Sequence, residues 1–508
     1  MRILFLHHSE ALRRTRWYLT AAEQLHAEFG HHVVFVYSSR HRDVVSSAVP
    51  VIRFEDWVEK HRSLVEAQDV RDCEARFPRA HLWLCAVAER SFTDYSFLGR
   101  GHYCRRLPLA DIETYLKAVV LFYETVTREH GVEIAVAHAP DNIHSTVLYE
   151  LASDLGFHAI GFYRDVYWDP KNHYLLDDQY YRSDLLRHRY RQYLDRYDEL
   201  VTPVQDECSA FVRQRVAKGP MESAPALLRR DRSWAILRNA ALGFWRARSL
   251  FRPGPRGAVA SVAERDFLDG ALSALTRAAN QVRTARLGER SLDQLGRFVF
   301  FPLHLQPEAT MLVSAPCFNN QLAVVQAISA GLPAGYRLAV KDHPLISGRR
   351  PRSFYQAIMS LPNAHLLAPD VSGSQVVERC AAVVTVKGTV GLEALLRGKP
   401  VLALAPVWYE DVAGVTKVED FGALPRILKS VLFARPSDSE MAYRHKALLA
   451  FVAAYRSIMM REPDYESDDP VTKGRGMARL IQRLLQTRTE ALACAGTASL
   501  DQAEARGT

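Results

Sequence analysis

The chain has 508 residues, 48% of them apolar and 24% charged, a composition typical of a globular protein with room for two or more domains. The formal net charge of +8 permits acidic partners such as nucleotides, polyanionic glycans or anionic lipids, but without a recognition motif it does not predict nucleic-acid binding. The seven cysteines are odd in number and lack metal-ligand spacing, and no apolar run reaches about 18 residues. We therefore expect a cytoplasmic protein with reduced thiols, at most associated with the inner face of the membrane.

Strands and helices alternate in the first part of the chain. Short apolar runs predict buried parallel strands, and longer amphipathic segments predict helices. The predicted strands are 2–6, 32–37, 132–138 and 157–163, and the predicted helices are about 17–29, 111–130 and 142–155. This alternation is typical of a doubly wound, Rossmann-like domain, which we place at residues 1–195.

A basic stretch interrupts the alternation within residues 196–295, which we interpret as a helical linker or insertion. Residues 227–257 contain eight arginines and one aspartate, with aromatic residues between them. Such a composition suits an interfacial helix near anionic lipid or a dock for an acidic, lipid-linked acceptor. Arg238, Trp245 and Arg246 are the candidate contacts. The alternative is a solvated helical hairpin that joins two domains.

The second α/β half follows this stretch, and we place it at residues 296–435. Its predicted strands are 297–301, 336–340, 364–368, 383–386 and 401–404. Helices are expected over 436–490. The tail, 491–508, has too few apolar residues to predict a fold.

Three loops of the second half begin where its strands end. They are FPLHLQPEAT (301–310), KDHPLISGRR (341–350) and KGTVGLEA (387–394). The carboxyl ends of parallel strands meet at one edge of a sheet, so the polar side chains of these loops should converge. The side chains to consider are those of His304, Glu308, Lys341, His343 and Thr389, which together suggest a nucleotide-phosphate site with a carboxylate nearby.

The segment VVTVKGTVGLEALLRGKPVLAL (383–404) predicts a strand, a glycine turn, a short helix and a second strand. Unpaired N–H groups at the start of such a helix favour an anion. Thr389 lies at that start, and Glu393 lies on the same helix face one turn further along. The structural alternatives are that Thr389 is only an N-cap and that Glu393 pairs with Arg397 on a solvated face.

The segments FPLHLQPEAT, LPAGYRLAVKDHPLISGRR and VVTVKGTVGLEALLRGKPVLALAPVWY closely resemble the capsule polysaccharide biosynthesis family, which includes β-Kdo transferases and is distantly similar to bacterial sialyltransferases. The resemblance is strong over residues 297–410 and weaker over 137–157. It implies an α/β GT-B fold, with two Rossmann-like domains facing a cleft, and a CMP-activated donor. The chain has Lys-Asp-His-Pro where the family commonly has Lys-Glu-His-Pro, and it lacks the acidic motif that carries the sialyltransferase base.

The resemblance also implies roles for individual residues. It implies that His343 contacts the nucleotide phosphate and that Pro344 shapes its loop. Gly388 and Thr389 would offer a backbone N–H and a hydroxyl to the same phosphate, and Glu393 would accept hydrogen bonds from the ribose hydroxyls. The donor-binding set is completed by two further residues of these motifs, Lys341 and Gly391.

The acidic group that the chemistry requires is less well defined by the sequence. Sugar transfer needs a carboxylate that takes the acceptor's proton or stabilises positive character at the anomeric carbon. Glu308 is the first candidate, although it could merely cap the following helix. His304 shares that ambiguity, and Asp141 in the first half could be a helix cap instead of a catalytic residue.

The sequence thus predicts a metal-independent glycosyltransferase of capsule or surface-polysaccharide assembly, with no cofactor beyond its nucleotide-sugar cosubstrate. The donor would be CMP-linked, with Kdo or a related acidic sugar, and the acceptor a glycan or a glycolipid. Two alternatives remain open: a CDP-polyol phosphotransferase of the same fold, and a catalytically silent scaffold of polysaccharide assembly or export.

Overall fold

The computed structural model describes residues 1–8, 12–39, 41–89, 92, 108–165, 167–218, 287–343 and 350–504, with only the backbone described over 492–504. These residues form two compact units. The first contains 1–89, 108–204 and the C-terminal residues from 450 onward, and the second contains 205–218 and 287–449. Both units are built around a six-stranded sheet, so the predicted α/β class with two Rossmann-like halves is confirmed.

The sheet of the first unit has the order β3-β2-β1-β4-β5-β6. Only the edge pair β5 and β6 is antiparallel. The strands are β1 (Arg2–His8), β2 (His32–Ser38), β3 (Val51–Arg53), β4 (Ile134–Ala137), β5 (His158–Arg164) and β6 (His173–Leu176). The four strands expected from the sequence are present with ends shifted by no more than two residues. β3 and β6 are additional, because each is too short to show a clear apolar pattern.

Helices cover the first sheet. Those of residues 1–204 are α1 (Leu12–Ala27), α2 (Phe54–Lys60), α3 (Arg62–Ala67), α4 (Val70–Arg76), α5 (Leu82–Ala88), α6 (Leu109–Glu129), α7 (Ile143–Leu155), α8 (Asp184–Asp195) and α9 (Tyr197–Leu200). The four short helices α2 to α5 lie in the region of the chain for which the sequence predicted no topology.

The second sheet has the order β12-β11-β10-β7-β8-β9, and all of its pairs are parallel. Its strands are β7 (Phe298–Pro302), β8 (Arg337–Lys341), β9 (Ala364–Leu366), β10 (Ala382–Thr385), β11 (Val401–Ala403) and β12 (Val415–Lys417). If β7 to β12 are numbered 1 to 6, the strand order is 3-2-1-4-5-6. The first sheet has the same order, which is that of dinucleotide-binding folds. In that order successive strands are added first on one side and then on the other side of the first strand, and the switch lies between β7 and β10. Such sheets bind ligands at this switch point.

The helices of the second unit are short around its sheet and longer at its ends. They are α10 (Gln205–Lys218), α11 (Ala309–Leu312), α12 (Gln321–Gly331), α13 (Arg352–Met359), α14 (Gly373–Arg379), α15 (Val390–Leu395), α16 (Leu424–Phe433) and α17 (Asp438–Ile458). Both faces of the sheet are buried: Val299, Val340 and Val384 belong to the core on one face, and Phe300 and Val383 are buried on the other. These apolar strands explain the continuous apolar runs in the sequence.

Two long helices lie at the C-terminal end of the described chain. α17 spans both units, and α18 (Pro470–Glu504) packs on α1 of the first unit. Leu480, Ile481 and Leu484 of α18 join the first core. The helix continues through residues 491–504, for which the composition predicts disorder.

Candidate nucleotide site

The three polar loops of the second unit meet at one edge of its sheet. β7, β8 and β10 are adjacent and parallel, so the loops that follow them emerge side by side. The imidazole of His304, after β7, accepts a hydrogen bond at Nε2 from the backbone N–H of Lys387, after β10, at 3.1 Å. The N–H of Leu303 donates to the carbonyl of Lys341 at 2.8 Å. The loops therefore form one structural cluster at the switch point between β7 and β10.

Arg350 holds two of these loops together. Its side chain is fully buried, and its guanidinium donates to the His304 carbonyl at 2.7 Å, to Gln306 Oε1 at 2.7 Å and to Asp342 Oδ1 at 3.2 Å. Asp342 also accepts a hydrogen bond from the Tyr355 hydroxyl at 2.5 Å. A buried charge is stable only when it is paired and hydrogen-bonded in this way. The sequence reasoning did not single out Arg350, although it lies in the motif that drew attention to this loop.

His304 is placed to position the loops and is shielded from solvent. The Gln321 side chain holds its backbone by accepting from its N–H at 2.7 Å and donating to its carbonyl at 3.1 Å. Burial, with smaller contributions from the positive charges of His343, Arg350 and Lys387, lowers the pKa of His304 to about 3. The ring is therefore neutral, and because Nε2 is an acceptor, Nδ1 carries the proton. This environment favours a positioning role for His304 over the catalytic one that the sequence suggested.

Glu308 occupies the N-cap position of α11, and its side chain makes no capping hydrogen bond. Its carbonyl, not its carboxylate, accepts the N–H of Leu312. The capping alternative therefore accounts for the position of Glu308 but not for its carboxylate. The side chain is half-buried beside the switch point, so Glu308 stays a candidate for the acidic group.

Gly388, in the turn between β10 and α15, does not have the phosphate-binding role that was expected of its backbone N–H. The Gly388 N–H donates to Thr385 Oγ1 at 2.9 Å, so the chain itself uses the group that was expected to bind a phosphate. A side chain at Gly388 would crowd both Thr385 and His304. Gly391 has a similar packing reason, because a Cβ there would collide with the Tyr409 hydroxyl, which donates to the Gly388 carbonyl at 2.6 Å. Both glycines thus serve close packing of the turn.

Thr389 is the N-cap residue of α15, and its hydroxyl makes no capping hydrogen bond. The N-cap alternative therefore accounts for its position but not for its hydroxyl. Within the described part of the chain, no acceptor is assigned to the backbone N–H groups of Thr389 and Val390. These two N–H groups and the hydroxyl are the donors that this turn can offer to an anion.

Glu393 lies one turn further along α15 and is 5% exposed. Its carboxylate makes no hydrogen bond to the described residues. Burial raises its pKa to about 7, and the positive charges of Arg215 and Arg397 reduce that effect. Arg397 itself donates to the Glu393 carbonyl, to the Val216 carbonyl and to Ser374 Oγ. The structural alternative, a Glu393–Arg397 pair on a solvated face, is therefore wrong: the acid is buried and the arginine donates to the backbone of α10.

Lys341, at the end of β8, and His343, just after it, are the next two donor-site candidates, and their surroundings differ. The Lys341 ammonium is buried and donates to the Pro369 carbonyl at 3.0 Å, and burial lowers its pKa. His343 is half-buried beside Asp342, which accepts its backbone N–H at 2.8 Å, and burial lowers its pKa. Pro344 lies outside the described residues.

Asp141 is at the corresponding edge of the first sheet, after β4. The N-cap of α7 is Asn142, which forms a capping box with Ser145, so the interpretation of Asp141 itself as the cap is wrong. Its carboxylate is 41% exposed and lies 3.7 Å from Nδ1 of His138. His144, by contrast, is fully buried between the hydroxyls of Tyr115 and Tyr123.

Arg238, Trp245 and Arg246 lie outside the described residues. In the described part of the chain, no helix is both long and apolar enough to cross a bilayer. The same residues contain no group of three or more potential metal ligands.

Residues 263–444 match the family model described as capsule polysaccharide biosynthesis protein. The matched segment is just over a third of the chain. All three loops of the switch point lie within it, so the resemblance expected from their motifs is confirmed. No curated protein sequence matches the chain.

Several solved structures are similar at low identity. The β-Kdo 2,7-transferase KpsC of Thermosulfurimonas dismutans is 10% identical, with 71% of this chain and 88% of that chain covered and a TM-score of 0.31. The β-Kdo 2,4-transferase KpsC of the same organism is 12% identical, with 67% and 86% covered and a TM-score of 0.29. The UDP-GlcNAc 2-epimerase of Neisseria meningitidis is 11% identical, with 96% and 100% covered and a TM-score of 0.22. TM-scores this low carry no weight for substrate or domain arrangement.

Proposed function

We propose that this protein is a glycosyltransferase of capsule or related surface-polysaccharide assembly, with a nucleotide-sugar donor bound at the switch point of the second sheet. Its fold would be GT-B, which consists of two Rossmann-like domains. Because a fold by itself does not determine function, the proposal depends on the family segment and on the surroundings of Glu393.

The buried carboxylate of Glu393 is the observation that supports this proposal most strongly. A buried carboxyl without hydrogen-bond partners reduces stability, and its raised pKa reflects that penalty. Vicinal hydroxyl donors, such as the ribose hydroxyls of a nucleotide, would satisfy it. Thr389, one turn earlier on α15, would then donate to the phosphate. The spacing of these two residues fits a phosphate and a ribose of the same ligand.

His343 is the proposed second phosphate contact. Its side chain is half-buried at the end of β8, next to the loop that Arg350 fixes. Burial keeps the imidazole neutral near pH 7, so it would act as a hydrogen-bond donor and not as a fixed positive charge. The hydrogen-bonded cluster of Arg350, Asp342 and His304 would hold this loop in place before the donor arrives.

The proposed donor is CMP-linked and carries Kdo or a related acidic sugar, and the acceptor is a glycan or glycolipid. Glu308 and Asp141 are the proposed candidates for the acidic catalytic group, since both carboxylates are partly exposed. We propose that transfer needs no metal ion. Product formation that survives EDTA would agree with this, and loss of activity restored by Mg²⁺ or Mn²⁺ would contradict it.

We further propose that the protein works in the cytoplasm and associates with the inner membrane through the arginine-rich stretch around Arg238, Trp245 and Arg246. Each basic residue near an anionic surface contributes about 1 kcal/mol, which salt screens. Co-sedimentation with anionic vesicles should therefore decrease as salt rises. Binding that does not depend on salt, or no binding, would contradict this proposal.

Product analysis with the purified protein tests the activity. Supplied with CMP-Kdo and a Kdo-containing glycolipid acceptor, it should release CMP and lengthen the acceptor by one sugar. A CDP-polyol phosphotransferase would instead use CDP-glycerol or CDP-ribitol, transfer the polyol phosphate to an acceptor hydroxyl to form a phosphodiester, and release CMP. A silent scaffold would bind no nucleotide in a thermal-shift screen of CMP, CDP, UDP and GDP.

A further inference from the structure

A cavity of about 360 Å³ lies within the second unit, away from the loops of the nucleotide site. Its walls come from α10, from the C-terminal end of α15, from the loop before β12 and from α17. It therefore adjoins the opposite end of α15 from Thr389. A volume of this size is within the range of small-molecule sites.

The interior of the cavity is apolar. Leu395, Leu396, Leu448 and Leu449 line it, and each of these side chains is at least nine-tenths buried in the protein. Met441, on the same face of α17, also lines the cavity and is 43% exposed. The site thus has an apolar interior with an apolar residue that reaches solvent.

The charged residues that line the cavity all have the same sign. They are Arg213, Lys399 and Arg444, with His445 as a titratable neighbour, and no acidic residue contributes to the wall. Glu440 pairs with Arg444 at 2.5 Å. Arg213 and Lys399 form no ion pair with the described residues, so a net positive charge remains at the cavity.

The hydrogen bonds of Arg397 and the backbone conformation of Gly414 shape the walls of this cavity. Arg397 donates to the Val216 carbonyl at 3.1 Å and to Ser374 Oγ at 2.6 Å, which fixes α10 against the helices beside it. Gly414 has a φ of +103°, and a Cβ there would press on the Leu395 side chain. The walls of the cavity are therefore held together by contacts within the chain itself.

We propose that this cavity binds a single-chain fatty carboxylate, with its alkyl chain among the leucines and its carboxylate beside Arg213 and Lys399. The apolar interior favours a hydrocarbon, and the positive charge without an ion pair favours an anion. A methylene occupies about the volume of a water molecule, ~30 Å³, so the cavity accommodates roughly ten to twelve carbons. A two-chain phospholipid would be too large. This inference does not depend on the proposed glycosyltransferase activity.

Calorimetry on the full-length protein, below the micelle-forming concentration, tests the proposal with octanoate, decanoate and dodecanoate. Affinity should increase roughly tenfold for each two carbons added and level off when the chain exceeds the cavity. Dodecylammonium has the same chain and the opposite charge, and it should bind at least tenfold more weakly. Equal affinity for the two charges, or no chain-length dependence, would overturn the proposal.

Two variants with matched controls locate the site. Ser209→Leu places a larger side chain in the cavity wall and should weaken dodecanoate binding at least tenfold, whereas Ala210→Leu, on the exposed side of α10, should not. Lys399→Glu should weaken binding by a similar factor, and Lys429→Glu, an exposed lysine of α16, should have no effect. Unchanged binding in both cavity variants would show that the fatty acid binds elsewhere. Nucleotide affinity measured on the same variants should stay constant, which separates this site from the donor site.

Discussion

Glu393→Gln should change how the stability of the protein depends on pH. The pKa of this buried carboxyl is about 7 in the folded protein, against an ordinary value of 4.5. A raised folded pKa means that the folded state retains a proton that the unfolded state has lost. The stabilising contribution of that proton is therefore complete below about pH 4.5 and is lost as the pH rises to about 7.

The magnitude follows from the two pKa values. Their difference, 7 − 4.5, at about 1.4 kcal/mol per pH unit corresponds to roughly 3.5 kcal/mol. Glu393 is 5% exposed, so solvent screening reduces this figure little. A glutamine has nearly the same shape and no charge at any pH. The variant should therefore be more stable than the wild type near pH 8, by up to roughly 3.5 kcal/mol, and the gain should disappear toward pH 4.5.

Urea unfolding of both proteins at several pH values between about 4.5 and 8 measures this effect. The difference in the free energy of unfolding should grow with pH and level off above about pH 7. Glu378→Gln, which removes an exposed carboxylate of the neighbouring α14, serves as the control and should show no such slope. Parallel pH dependences for wild type and Glu393→Gln would refute the buried, unpaired state of this carboxyl.

Three further predictions concern the loops of the site. His304→Ala leaves the Lys387 N–H without its acceptor, so it should lower the free energy of unfolding by about 1–3 kcal/mol. Urea unfolding measures this change, and an unchanged stability would contradict the positioning role. Arg350→Met leaves the Asp342 carboxylate without its buried partner and should cost about 3–5 kcal/mol, and Arg350→Met combined with Asp342→Asn should recover part of this loss. Gly391→Ala should lower the melting temperature because its Cβ meets Tyr409, and a double variant with Tyr409→Phe should be less affected; equal melting temperatures for Gly391→Ala and wild type would count against this packing.

The sequence predicted the architecture well because parallel strands have a strong signature. Continuous apolar runs such as 382–385 and 401–403 are buried on both faces of the sheet, and their order along the chain then limits the topology to few possibilities. Short elements were not predicted. β12 has only half-buried and exposed residues, so no apolar run marks it.

The sequence placed the polar loops but not the hydrogen bonds between them. Nothing in the pattern around Gly388 shows that Thr385, three residues earlier, takes its N–H. Likewise, Arg350 looks like any surface arginine until Asp342 and Gln306 are brought to it by two different loops. Such contacts depend on side-chain geometry across distant segments, which spacing along one chain does not encode.

The N-terminus of α7 is a second case in which the sequence could not show which side chain makes a hydrogen bond. Asp141 and Asn142 are both good N-cap residues, and the sequence favoured the first. The structure uses Asn142, because its side chain reaches the Ser145 N–H at 3.1 Å. Propensity located this helix start to within one residue, and the capping geometry decided between the two side chains.

Calorimetric titration with CMP, at about pH 6 and pH 8, tests the central claim that Glu393 and Thr389 belong to a nucleotide site. Only ionised Glu393 accepts both ribose hydroxyls, so with a pKa of about 7 the wild type should bind CMP roughly tenfold more tightly at the higher pH. Glu393→Gln should bind more weakly at pH 8 and lose this gain, which also controls for titration of the CMP phosphate itself. Ribose-free phosphate should bind both proteins alike. Absence of CMP binding by the wild type, or the same affinity and pH dependence in Glu393→Gln, would contradict the account.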